Sequence, residues 1–217
     1  MPITIALRKK FSDSYYRDSF ARALRSESID SAYIASGFFT DFTNRLEVWS
    51  PDFSVNTGMK NKKVFLLGGY EDDASELIAL KDALVNRGVD AHASKLAAPQ
   101  QGEDTLQWHA KVAVFLNGTQ PVLAIVGSSN FTGSTMYGGS EHKSVAPPAR
   151  VKVEADSYYW LKSHVDADQA IYDVFNHWGG GRQAPHIAFN AENFDQEIEL
   201  VLNSIYWELL SFHWQTL

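Results

Sequence analysis

Residues 108–132 read Trp108-His109-Ala110-Lys111-Val112-Ala113-Val114-Phe115-Leu116-Asn117-Gly118-Thr119-Gln120-Pro121-Val122-Leu123-Ala124-Ile125-Val126-Gly127-Ser128-Ser129-Asn130-Phe131-Thr132. Two short apolar runs rich in β-branched residues, Val112–Leu116 and Val122–Val126, are bounded by Asn-Gly and Gly-Ser. That pattern predicts adjacent strands. Residues two apart in a strand share a face, so His109 and Lys111 project to the same side. A base or nucleophile thus stands beside a fixed cation. The second run ends in Gly127-Ser128-Ser129-Asn130, whose hydroxyls, amide and backbone N–H groups suit an oxyanion.

Working outward, Asp13–Ser26 places Tyr16, Phe20 and Leu24 at helical spacing, with Asp13 as a candidate N-cap. Ser31–Phe39 reads as a strand, Thr40–Trp49 as a helix, and Lys63–Leu67 as a buried strand ending at Gly68-Gly69. Ala74–Arg87 is the clearest helix, closed by Gly88, and Val89–Leu96 follows as a strand. Past the motif, a helix over Phe131–Met136 would set the Ser-Asn loop at a helix N-terminus, which favours phosphate. Glu141–Ala146 reads as a further strand, Val151–Val165 is ambiguous, and Ala167–Trp178 is helical until Gly179-Gly180-Gly181. Phe194–Trp214 reads as a long amphipathic helix. Strands alternating with helices predict an α/β fold, a mixed β-sheet sandwiched between helices. One domain over 1–217 is expected, with about 183–217 as a helical C-terminal extension.

The 217 residues suffice for one full core. A hydrophobic share of 45% and a charged share of 21% are those of a soluble globular chain. No apolar run is long enough to cross a bilayer, and the basic Arg8-Lys9-Lys10 follows its apolar segment, the wrong order for a secretory signal. A cytoplasmic location is therefore the expectation. The absence of cysteine excludes disulfides and thiolate metal sites. A net charge of −7 argues against a generally basic nucleic-acid coat, although one positive groove is enough for a nuclease. Lys60, Lys62 and Lys63 form one basic cluster, and Lys143, Arg150 and Lys152 another. Each alone reads as solvated surface.

The ordered set His109-x-Lys111 and Gly127-Ser128-x-Asn130 resembles the signature of the phospholipase D superfamily. Glu141 stands where nuclease-like members carry a carboxylate or amide after the Asn. The Asp that the family places after the Lys is absent, since Leu116 occupies that position with Asn117 beside it. Some restriction-endonuclease-like members lack the same Asp, so the resemblance points to that branch. Many relatives carry two copies of the motif, whereas this chain carries one.

The resemblance implies a phospholipase D-like fold and a metal-independent phosphodiesterase working through a phosphohistidine. His109 would be the nucleophile, and its copy from a second chain the general acid. Lys111, Ser128 and Asn130 would bind the phosphoryl oxygens, and Glu141 would hydrogen-bond a histidine. The implied partners are a nucleic-acid substrate and a second copy sharing the active site; no helix-turn-helix or zinc-finger pattern is evident, so cleavage at specific sites would need a partner domain or chain to supply the specificity. No cofactor and no stable membrane insertion are implied.

Other readings compete. A lone His near a strand is more often structural than catalytic, and the ordered set reverses that preference for His109. His142 would face the opposite side of a strand from Glu141. His92, His164, His177, His186 and His213 show no metal-ligand spacing. Gly179-Gly180-Gly181 has no Lys-Ser partner and reads as a turn, and Ser129 reads as structural. Two alternative functions stand beside an endonuclease of DNA or RNA. One is a phospholipase or phosphatidyl transferase whose Trp207 and Trp214 touch lipid. The other is a catalytically inactive nucleic-acid-binding module.

Overall fold

A computed structural model of the chain describes residues 3–8, 15–40, 61–69, 74–97, 108–136, 154–177 and 195–217. The strands are β1 (Ile3–Arg8), β2 (Ser31–Ser36), β3 (Lys63–Gly68), β4 (Asp90–Leu96), β5 (Lys111–Asn117), β6 (Gln120–Gly127), β7 (Glu154–Trp160) and β8 (Trp214–Thr216). The helices are α1 (Tyr15–Arg25), α2 (Ser75–Val85), α3 (Gly133–Met136), α4 (Val165–His177) and α5 (Asp195–Ser211). All eight strands join one sheet in the order β1-β7-β6-β5-β2-β3-β4-β8. The β2, β3 and β4 pairings are parallel and the remaining pairings antiparallel, so the sheet is mixed.

The strands at the centre are apolar on both faces, as a doubly covered sheet requires. On one face lies α1, where Phe20 packs against Phe115 of β5 and Phe131 beyond β6, with ring centroids 5.5 and 5.0 Å apart. Helix α4 joins the same layer through Phe175, which stacks on Tyr15 and meets Tyr158 edge-on. The opposite face is covered by α5, whose Tyr206 sits edge-on to Tyr33 of β2. Helices therefore flank both faces, as the alternation of elements predicts.

The hairpin between β5 and β6 turns at Gly118, with φ 60°, a conformation that glycine adopts without the clash of a Cβ. Helix α2 ends at Val85, and the chain leaves it through Gly88 at φ 81°. Two elements differ from expectation. Ile3–Arg8, of which Ile3–Leu7 reads from sequence only as a short apolar segment, is an edge strand that pairs antiparallel with β7. The C-terminal helix stops at Ser211, and Trp214–Thr216 pairs with Ser94–Leu96 of β4, so this segment adds a strand to the main sheet. Aromatic and β-branched side chains in Trp214-Gln215-Thr216 suit that edge. The helix expected at Thr40–Trp49, all but its first residue, and the strand expected at Glu141–Ala146 lie outside the described residues. Among the described residues no helix is long and apolar enough to cross a membrane.

Candidate active site

The strand registers bring a row of functional residues together at one end of the sheet. Ala6 pairs with Asp156, Asp156 with Gly127, and Gly127 with Lys111. Ala35 pairs with Val112, so Ser36 at the end of β2 stands on the other flank of Lys111. The row faces the α1 side of the sheet, and side chains that follow it project beyond the strand ends.

Lys111 begins β5 and is only 4% exposed. Its Nζ donates to the main-chain carbonyl of His109 and lies 3.4 Å from His109 Nδ1. An ammonium has three donors, and these contacts orient it. Burial pushes its pKa below the ordinary lysine value, and the Glu154 carboxylate acts in the opposite sense. His109 is exposed at the mouth of the site. The residue before it is held firmly: Trp108 packs edge-on against Phe212 and Trp214 and covers Gly69. A Cβ on Gly69 would overlap the Cβ of Trp108, so only glycine admits this contact.

The loop after β6 is anchored on three sides. Ser128 Oγ donates to the Glu154 carboxylate and accepts the Ala155 N–H at 3.0 Å, while Ser128 N donates to Ala155 O at 3.0 Å. Buried Ser129 donates its N–H to Asp156 Oδ1 at 3.1 Å and its hydroxyl to Asp156 Oδ2 at 2.6 Å. On the far side Ser36 Oγ lies 3.3 Å from Asn130 Oδ1 and accepts the Phe131 N–H at 3.1 Å. Gly127 makes this packing possible, because a Cβ there would collide with Asp156 Oδ1 and with the Ala155 carbonyl oxygen. Burial pushes the Asp156 carboxyl above the ordinary carboxylate range, opposed by its hydrogen bonds from Ser129.

His109, Lys111, Ser128 and Asn130 thus occupy one end of neighbouring strands, and Ser129 is a buried anchor. Glu141 lies outside the described residues. The expected helix after the loop is the single turn α3, too short to present a macrodipole to a phosphate. Lys62, read as solvated, turns inward to the main-chain carbonyls of Ser26 (2.7 Å) and Ile29 at the opposite end of the sheet. Glu154, Asp156 and Ser36 were not singled out from sequence. Alternation within Glu154–Trp160, where Asp156 and Tyr158 are buried, is the signal that identifies β7 and its inward carboxylates. Among the described residues no three His, Asp or Glu side chains converge as a metal site. The arrangement offers one oriented cation, an imidazole and the Asn130 side-chain amide at one end of the sheet, a setting for an oxyanion.

No family model and no curated protein matches the chain. Several solved structures follow a similar chain path. NucT from Helicobacter pylori aligns over 99% of this chain and 99% of its own, at 12% identity and a TM-score of 0.49. Polyphosphate kinase from Porphyromonas gingivalis aligns over 95% of this chain and 30% of its own, at 16% identity and a TM-score of 0.44. Yeast tyrosyl-DNA phosphodiesterase aligns over 72% of this chain and 32% of its own, at 11% identity and a TM-score of 0.35.

Proposed function

We propose that the chain is a metal-independent phosphodiesterase of the phospholipase D superfamily, an endonuclease cleaving DNA or RNA. The observation that carries this reading is the buried Lys111 ammonium beside the His109 imidazole, in the same row as the anchored Ser128–Asn130 loop. A phosphodiester brings one negative charge, which an oriented cation and neutral donors stabilise as charge builds on the phosphoryl oxygens. A neutral His109 nitrogen attacks phosphorus, forming a P–N bond as the P–O bond to the leaving group breaks. A protonated imidazole on the opposite side gives its proton to the departing oxygen. Water then attacks phosphorus, returns a proton to that second imidazole and releases His109.

Lys111 and Asn130 hold the phosphoryl oxygens, and Ser128, whose hydroxyl and N–H are donated to Glu154 and Ala155, braces the loop beside them. Glu154 keeps Lys111 charged, and Glu141 fixes the tautomer of a histidine. The second imidazole is His109 of another copy, which makes the active unit a homodimer with one site on its two-fold axis. Sequence specificity, where the role is restriction, comes from a separate domain or chain.

The test is incubation with DNA, RNA and labelled phospholipid in chelator. Cleavage of nucleic acid with phospholipid left intact is expected. Loss of all cleavage in chelator, restored by Mg²⁺, would point to another mechanism.

A further inference from the structure

Ser36 ends β2 beside the catalytic row. Ala32, Ile34 and Ser36 alternate onto one face of that strand. Ile34 pairs with Ala113, so this is the face that Lys111 shares. Ser36 is 1% exposed, and its hydroxyl finds its partners inside the protein. It accepts the Phe131 N–H at 3.1 Å and the Phe38 N–H at 3.4 Å. Its proton is shared between the Phe38 carbonyl at 2.8 Å and Asn130 Oδ1 at 3.3 Å. The frame around it is packed: Phe131 bridges to Phe39 and meets the rings of Tyr16, Phe20 and Phe39.

A hydroxyl has one proton and two lone pairs. Here two main-chain N–H groups occupy the lone pairs, so Ser36 can meet a further group only by donating. An Asn side chain carries an acceptor on one arm and two donors on the other, and the two arms are nearly alike in shape. Against a hydroxyl that can only donate, the oxygen arm turns inward and the NH2 arm turns away from Ser36.

We propose that Ser36 is a positioning residue of the phosphate site, which fixes the Asn130 amide with its N–H groups toward the phosphoryl oxygens. The reversed amide would set a carbonyl oxygen against an anion. The correct orientation therefore keeps a donor and avoids a repulsion. Ser36 acts through Asn130 and does not itself touch substrate. The inference rests on the nuclease reading, in which Asn130 holds phosphate, and deepens it.

The experiment compares the full chain with Ser36→Ala, Asn130→Ala and the double variant. Two readouts are taken: steady-state cleavage of nucleic acid, and binding of inorganic phosphate followed by phosphorus NMR. Ser36→Ala should lower kcat/KM by up to about 10²-fold, the scale of a small misplacement of a catalytic group. It should weaken phosphate binding by about 10-fold or more, the worth of a hydrogen bond to a charged group. In the Asn130→Ala background, Ser36→Ala should change neither readout further, because its route to the substrate is gone. A merely structural loss would carry over to that background. Thermal unfolding confirms that each variant is folded. Ser36→Cys, similar in shape and a much weaker donor, should fall between serine and alanine, and takes the place of Ser36→Ala if that variant does not fold. Unchanged rate and phosphate affinity in Ser36→Ala, or a further loss when it is added to Asn130→Ala, would overturn the proposal. So would an unmutated chain that binds no phosphate. Failure of the nuclease reading looks different: nucleic acid stays uncut while phosphate binding still depends on Ser36 through Asn130.

Discussion

The two ends of this sheet carry clusters of the same composition, a lysine, a histidine and a carboxylate, and their side chains are bonded to different things. At the far end Lys62 donates to two main-chain carbonyls, and Asp166 accepts the hydroxyls of Ser26 and Ser28. Those hydroxyls hold the Asp166 carboxyl below the ordinary range. His164 caps α4: its carbonyl accepts the Asp168 N–H, and its Nδ1 accepts the Ala167 N–H at 3.2 Å. Its Nε2 lies 3.3 Å from both Ser28 Oγ and Asn117 Nδ2. The bonds made there close loops and a helix end. At the near end the carboxylates Glu154 and Asp156 anchor a loop, while the Lys111 ammonium turns to its neighbour His109. Residue types alone do not separate structure from chemistry; what the groups are already bonded to does.

The sharpest way to break this contrast is to exchange the histidines' fates. His109→Ala should abolish turnover with little change in thermal stability, and mixed dimers of wild-type and His109→Ala chains should be inactive. An active monomer, or mixed dimers with half the full rate, would contradict a shared site. His164→Ala should leave turnover intact and cost roughly 1 kcal/mol of stability, the value of an N-cap. The lysines come next. Lys111→Ala should slow turnover by on the order of 10²–10³-fold. Lys62→Ala should preserve the rate and destabilise by about 1–3 kcal/mol, since two partly buried carbonyls lose their donor. Denaturant unfolding beside steady-state kinetics separates the two effects.

Smaller effects sharpen the comparison within the near cluster. Lys111 must be charged to act, so the rate falls on the alkaline side as it loses its proton. Burial already lowers its pKa and Glu154 resists that. Glu154→Gln should therefore move the alkaline limb of the pH–rate profile to lower pH. An unmoved limb would separate Glu154 from Lys111. The smallest effect concerns Asp156, whose pKa is raised by burial. The folded state then binds the proton more tightly than the unfolded one, so stability falls as pH rises from the ordinary carboxyl range through the raised value. Asp156→Asn removes this titration. Its amide still accepts the Ser129 N–H and donates to the Ser129 hydroxyl, so thermal stability should become flat across that window.

Much of the near cluster is legible in the sequence because it is local. His109, Lys111, Gly127, Ser128 and Asn130 lie on one hairpin, and two apolar runs around Asn117-Gly118 announce it. What the sequence conceals is long-range. Glu154 and Asp156 sit in a stretch whose acidic residues obscure the strand pattern, and they matter only through pairing with β6 and β1. The edge strand β1 carries too short an alternation to be recognised without its partner. Trp214 extends the helical spacing of α5, and only its pairing with β4 reveals a strand. Ser36 ends an unremarkable strand, and its role depends on a loop far along the chain.

Because Ile3 finds its partner at Tyr159, and Ser36 reaches Asn130, the site depends on closures between distant parts of the chain. Such closures pay their entropy before any contact rewards it and make a fold slow to complete. The hairpin bearing His109 and Lys111 forms from neighbouring residues, well before its surroundings are in place. During that interval the loop after β6 lacks both Asp156 and Ser36. The order of assembly thus works as a delay, in which this end of the sheet is complete only when the last distant strands have docked.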